Sequence, residues 1–177
     1  KNKTFIIAEI AQAHDGSLGI LHSYIDSIAK TDVDAIKFQT HIAEAESSIN
    51  EPFRKNFSYV DKTRFDYWKR MSFSLKEWKE IKAHCEDCGI EFMSSPFSIA
   101  AVDLLEEIGI TRYKIGSGEV TNLLMLKKIC KTGKPIILSS GMSDYQELDS
   151  SVNYIKKFGN DLSILQCTTS YPTPTEK

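Results

Sequence analysis

The sequence predicts an α/β protein of the (β/α)8 TIM-barrel class, truncated after about six strands. Three observations carry this. Short β-rich apolar runs alternate with stretches of helical periodicity. No two such runs follow each other as a hairpin, so the strands are expected to be parallel and joined by helical crossovers. Finally, nearly every run ends in polar side chains: Glu9, Gln39 and Thr40, Ser94 and Ser95, Ser117 and Glu119, Ser139 and Ser140, Thr168 and Thr169. A doubly wound open sheet gathers its site at one switch point, whereas a barrel draws on the C-terminal ends of most strands. A barrel needs eight strands and typically about 250 residues. The chain has 177 residues, so the last two strands are expected to be missing.

The elements follow in order. "FIIAE" (5–9) is a strand run, and a helical spacing begins at Leu18 with Leu21, Ile25 and Ile28. "AIKFQT" (35–40) is the second strand. A helix starts at Ser74, where Ser74 and Glu77 form a capping box, and stops at Gly89. "EFMSS" (91–95), the helix 98–109, "RYKIG" (112–116) and the helix 122–133 come next. "PIILS" (135–139) is the fifth strand, a helix over 143–159 is expected to start on a Ser143/Gln146 capping box, and "LSILQC" (162–167) is the sixth strand. The segment 41–73 breaks the rhythm and carries seven aromatic residues, Phe53, Phe57, Tyr59, Phe65, Tyr67, Trp68 and Phe73. Loops of this length in a compact domain are usually functional, so a lid or subunit contact is expected, with a short helix inside 61–71.

Composition narrows the function classes. A net charge of −2 leaves no electrostatic footprint for nucleic acid or an anionic membrane. No apolar run approaches the roughly 20 residues that span a bilayer. The opening "KNKT" is too short and polar for a signal peptide, and the four sparse cysteines read as reduced thiols; both point to the cytoplasm. Cys85 and Cys88 form a CxxC, but in the last turn of a helix, where the dipole does not lower a thiol pKa. With no second Cys/His pair at finger spacing, a structural role is expected.

Alternation places the chemistry. In "AIKFQT", Ile36 and Phe38 face one way and Lys37 and Gln39 the other. In "RYKIG", Tyr113 and Ile115 oppose Lys114. Helices cover the outside of a barrel, so Lys37, Gln39 and Lys114 are expected to point inward, with Glu9. Buried lysines need a partner. Pairing with Glu9 or Glu119 would explain one of them. Two lysines inside a rim of hydroxyls (Ser95, Ser117, Ser139, Thr169) point to an anionic ligand, a phosphate or carboxylate.

At these residues the chain resembles the sialic acid (N-acetylneuraminate) synthase family. The resemblance runs through "AEIAQAHDG", "DAIKFQT", "SSPFS", "YKIGSGE", "ILSSGMS" and "CTTSYPTP". It implies a phosphoenolpyruvate-dependent synthase whose N-terminal barrel portion is residues 1–177. It implies condensation of phosphoenolpyruvate with an N-acylated hexosamine, such as N-acetylmannosamine, to a nonulosonic acid and phosphate. The resemblance assigns phosphoenolpyruvate to Lys37, Ser95, Lys114, Ser117 and Ser139, with Thr169 nearby and Gln39 assisting. It assigns the sugar to Glu9, Glu119 and Tyr171, with Glu119 the first candidate for moving a proton or orienting water. Relatives often carry Asn where Thr169 stands, and Asn-His-Asn-Gly where this chain has Ala13-His14-Asp15-Gly16. His14 is expected to be a turn residue rather than a catalytic one. The family also implies a divalent cation, Mn2+ or Mg2+, held by two histidines late in the barrel, and a C-terminal antifreeze-like domain exchanged in a homodimer. Neither region is expected in this chain; His22, His41 and His84 do not stand at the ligand positions, so no metal ligand is assigned.

Two other classes compete. A Schiff-base aldolase barrel also uses an interior strand lysine, but one in a desolvated rather than hydroxyl-lined setting. A truncated, non-catalytic barrel module would leave strand edges open to other chains. Taken alone, the chain is expected to be inactive.

Overall fold

In the computed structural model, residues 3–170 and 172–176 are described. The chain divides after Ile110 into two compact units. The first holds β1 (Ile7–Ala11), α1 (Leu18–Ile28), β2 (Ala35–Thr40), α2 (Ala43–Glu46), α3 (Arg64–Met71), α4 (Leu75–Asp87), β3 (Glu91–Pro96) and α5 (Ile99–Ile108). The second holds β4 (Tyr113–Ile115), a 3-10 turn (Ser117–Glu119), α6 (Leu123–Cys130), β5 (Ile136–Ser139), α7 (Tyr145–Lys156) and β6 (Leu162–Leu165). Within each unit, strands consecutive in the chain pair in parallel, β1 with β2 with β3 and β4 with β5 with β6. The expected α/β class and barrel-type strand order hold. No helix among the described residues is long and apolar enough to cross a membrane.

In the first unit, alternation works as the sequence requires. Phe38 turns to the helices, stacking on Phe92 at 5.3 Å and meeting the edge of Trp78 from α4 at 5.9 Å. Leu21 and Ile25 of α1 and Ile81 of α4 are fully buried. Each such side chain contributes about 1.5–3 kcal/mol of burial. Thr40 and Ser94 share a 2.7 Å hydrogen bond and are fully buried. Both have the parity of Phe38 and Phe92, so they lie on the helix-facing side, away from Lys37. Ser94 is therefore a packing residue, unlike its neighbour Ser95.

In the second unit, Met125, Leu126 and Ile129 of α6, Ile155 of α7, and Tyr113, Ile115 and Leu138 of the strands are all fully buried. Ser151 Oγ donates to the Val120 carbonyl at 2.7 Å, pinning α7 to the turn after β4. β6 is the most open strand, with Ile164 48 % and Leu165 39 % exposed.

Element boundaries differ from the sequence reading in places. β1 runs two residues later, with a register irregularity between Glu9 and Ala11. The Ser74/Glu77 capping box is present, but α7 is capped by Asp144 with Glu147 rather than by Ser143 with Gln146. Both frames fit the same pattern; serine and aspartate are comparable caps, and the aspartate carboxylate gains from the positive end of the helix dipole. The expected helix within 61–71 is α3, closed at its start by a Thr63/Asp66 capping box. The rest of segment 41–73 is held by its aromatics: Phe57 meets Tyr67 edge-on at 5.0 Å, and Tyr67 meets Trp68 at 4.9 Å.

Candidate active site

Lys37 lies on β2 directly opposite Glu9 of β1, and the two form an ion pair. The lysine side chain is 9 % exposed and the glutamate 41 %, so the carboxylate offsets the cost of the buried ammonium while keeping contact with solvent. Two residues on, Gln39 shares the Lys37 face. Gln12 Nε2 donates to its Oε1 at 3.3 Å, and His41 Nε2 lies 3.3 Å from the same oxygen. His41 Nδ1 lies 2.7 Å from the Glu46 carboxylate, and the ring is sandwiched between Trp68 at 3.7 Å and Phe97 at 4.1 Å. Glu46 is itself held by the Ile42 N–H at 2.6 Å. A chain Glu46–His41–Gln39–Gln12 thus orients the expected site residue Gln39. The buried Gln12 Oε1 ends it without a hydrogen-bond partner. Ser95, buried at 2 % exposure, sits opposite Gln39 on β3.

The second unit builds a separate cluster. Lys114 of β4 is 7 % exposed and pairs in register with Ile137; Ser139, two residues further along β5, therefore shares its face. The ammonium donates to Ser139 Oγ and, at 3.1 Å, to the Ile115 carbonyl. After β5 the Gly141 N–H donates to Ser117 Oγ at 3.1 Å. A Cβ on Gly141 would lie 2.9 Å from Cys167 Cβ and 3.0 Å from Thr169 Cγ2, so this approach needs glycine. Burial alone would push the Cys167 thiol pKa up; the Ser139 hydroxyl, the backbone of Ser140, the Lys114 charge and the backbone of Gly141 together outweigh it and hold the thiol below its ordinary value. An electropositive strand end of this kind favours an anion. A cavity of about 590 Å³ opens beside it, lined by Ser140, Gly141, Tyr145 and Cys167 among others.

The remaining expected residues fall as follows. Glu119 lies in the 3-10 turn, where its carboxylate accepts from Asn122 Nδ2 at 2.9 Å; Asn122 in turn caps α6. Thr169 is exposed, its methyl beside Gly141. Tyr171 lies outside the described residues. His14 is 1 % exposed, and burial pushes its pKa down to about 4. Its Nδ1 accepts the Gly16 N–H at 3.0 Å and its ring tilts against Phe73, so it is a neutral staple of the first turn, as expected of a turn histidine. Alternation placed Lys37, Gln39 and Lys114 from the sequence, and the polar end of its strand marked Ser139. It missed Gln12 and His41, whose only sequence signal is their closeness to strand ends, and Cys167, which reads as one thiol among four.

Among the described residues, one group of three or more His, Cys, Asp or Glu side chains lies close enough to hold an ion: Asp26, His84 and Cys88, on and beside α1 and α4. Among the described residues, no such group lies at the strand ends.

The model of the NeuB family matches residues 24–177. The chain is 37 % identical to the N,N'-diacetyllegionaminic acid synthase of Campylobacter jejuni, over 97 % of this chain and 53 % of that protein. It is 30 % identical to the N-acetylneuraminate-9-phosphate synthase of Mus musculus, over 99 % of this chain and 50 % of that one. The crystal structure of N-acetylneuraminic acid synthetase from Leptospira borgpetersenii, in complex with citrate, superposes with a TM-score of 0.83 at 28 % identity, over 99 % of this chain and 57 % of that one. The chain spans about half the length of the curated relatives it matches.

Proposed function

Because the chain belongs to the NeuB family, we propose that it is the donor-binding part of a nonulosonic acid synthase. In the proposed reaction, carbon 3 of phosphoenolpyruvate attacks the aldehyde carbon of an open-chain N-acylated hexosamine. Water adds to the oxocarbenium carbon that develops at carbon 2, and the C–O bond to phosphate breaks, so the bridging oxygen leaves with phosphate. Lys37, Ser95, Lys114, Ser117 and Ser139 hold the donor's phosphate and carboxylate, with Thr169 nearby and Gln39 assisting. The lysines act as fixed charge rather than as nucleophiles. Glu9, Glu119 and Tyr171 meet the sugar, and Glu119 orients the water or moves its proton.

The observation that carries this reading is the bond from buried Lys114 to Ser139 at the strand end, in a cluster that also includes Gly141 and Ser117. Hydroxyl and backbone donors around a lysine suit a phosphate better than they suit a desolvated Schiff-base amine. The proposal extends to a cytoplasmic setting. For a protein of its relatives' length, it extends to a divalent cation, Mn2+ or Mg2+, and a homodimer. The chain on its own is proposed to bind the donor without turning it over.

The test is binding first. Phosphoenolpyruvate should raise the melting temperature of the chain, and Lys114→Met should abolish the rise. A chain no more responsive to phosphoenolpyruvate than to chloride overturns the donor site, and turnover by this chain alone overturns its proposed inactivity. In the protein extended to its relatives' length, 18O at the bridging position should appear in phosphate. Trapping of pyruvate on Lys114 or Lys37 by borohydride would instead mark an aldolase.

A further inference from the structure

We propose that Asp26, His84 and Cys88 form a site for a zinc-class divalent cation between α1 and α4, with His22 orienting His84 from behind. The site lies on outer helices, independent of the donor cluster and of the reaction proposed above.

Its geometry comes from two i,i+4 pairs. His22 and Asp26 share one face of α1, and His84 and Cys88 share one face of α4, where Cys88 is the C-cap. Packing of the helices brings the pairs together. His84 Nε2 lies 2.9 Å from Asp26 Oδ1, and its Nδ1 lies 2.7 Å from His22 Nδ1. One ligand atom from each of Asp26, His84 and Cys88 falls within a 4.8 Å span. A tetrahedral zinc with N and O bonds of about 2.0–2.1 Å and an S bond of about 2.3 Å holds its ligand atoms about 3.3–3.6 Å apart. Small rotations of these partly exposed side chains reach that spacing. The cation then takes the place of the proton shared by His84 Nε2 and Asp26, and the Cys88 thiol gives up its proton to bind as thiolate.

The contact with His22 is what distinguishes this cluster from a chance surface pair. A metal-bound histidine almost always donates its other N–H to a fixed acceptor, which sets the tautomer. With an ion on Nε2, the His84 Nδ1–H would donate to His22 Nδ1, a bond that the 2.7 Å separation of the two nitrogens allows. Three protein ligands leave a fourth position for water. The Cys/His/Asp set is soft enough to select zinc over Mg2+ or Mn2+, so this cation differs in kind from the one expected for the synthase reaction. The neighbouring Cys85 takes no part: it is buried, and burial pushes its thiol up to about 12.

Cobalt is the probe. One equivalent of Co2+ added to the metal-free chain should give a thiolate-to-cobalt charge-transfer band, which stoichiometric Zn2+ bleaches and excess Mg2+ does not. Cys88→Ser should lose that band. His22→Ala should keep it but weaken cobalt binding by about 10–100-fold, as loss of an orienting partner does. A second measurement needs no variant: Zn2+ should slow alkylation of Cys88 by iodoacetamide at least about tenfold, read by peptide mass spectrometry, because a coordinated thiolate is not free to attack. No band at one equivalent, a band that survives in Cys88→Ser, or alkylation equally fast with and without zinc would overturn the site.

Discussion

Arg70 and Asp61 form a two-point ion pair: Nε donates to Oδ1 at 3.0 Å and Nη2 to Oδ2 at 2.7 Å. The same guanidinium donates from Nη1 to the Asp15 carboxylate at 2.7 Å and to the Asp15 carbonyl at 2.9 Å. One side chain of α3 thus ties the 41–73 segment to the first turn. The Asp61 side chain is only 6 % exposed, whereas that of Asp15 is 72 % exposed. Arg70→Met should cost about 2–4 kcal/mol by leaving Asp61 without its partner, and Asp15→Asn less than about 1 kcal/mol. The Arg70 hydrogen bond holds the Asp61 carboxyl below its ordinary pKa. A depressed carboxylate stabilises at pH above its unfolded value near 4 and loses that contribution as acid takes it through the folded value. Urea unfolding at neutral and acid pH, for both variants, checks the ranking and the direction.

Gly16 is the position where α3 comes closest. Its φ is +77°, and an added Cβ would lie 2.4 Å from the Arg70 carbonyl oxygen. A side chain there meets both backbone strain and a clash with main chain that a rotamer change cannot relieve. Gly16→Ala should destabilise by about 2–4 kcal/mol, read as a lowered midpoint in chemical denaturation. An alanine that leaves the midpoint in place would show that the turn and α3 do not pack as described.

His14 should titrate far below an ordinary histidine. Its folded value of about 4 lies under the unfolded 6.5, chiefly because of burial. As pH falls from 6.5 towards 4, the unfolded chain takes the proton first, so stability declines across that window and is complete above it. NMR titration of the imidazole gives the midpoint. His14→Asn, which keeps an acceptor near the Gly16 N–H, should flatten that part of the stability profile.

Gly141→Ala tests the second cluster without touching a charged group. The new methyl would sit 2.9 Å from Cys167 Cβ and 3.1 Å from Ser117 Oγ. Overpacking of this kind costs about 1–3 kcal/mol. Thermal unfolding should show that cost. The amide proton of residue 141, which in the native chain donates to Ser117 Oγ, should exchange faster in the variant.

The chain's own order of residues determined a good deal. Period-two alternation set Lys37 and Gln39 against Phe38, and Lys114 against Tyr113 and Ile115, because neighbours on a strand have no choice of face. The Ser74 cap with Glu77 was equally legible, since a cap is a contact between residues three apart. The cap of α7 shows the limit: Ser143/Gln146 and Asp144/Glu147 carry the same spacing, and the fold uses the second. Tertiary structure alone decided which distant groups meet. His22 and His84 are 62 positions apart, and Arg70 and Asp15 are 55 apart. His41 gains its Trp68 and Phe97 sandwich only once α3 and the end of β3 are in place. Such partners depend on how helices and loops are set against one another. That arrangement is fixed by the packing of many side chains together, so no single stretch of sequence records it.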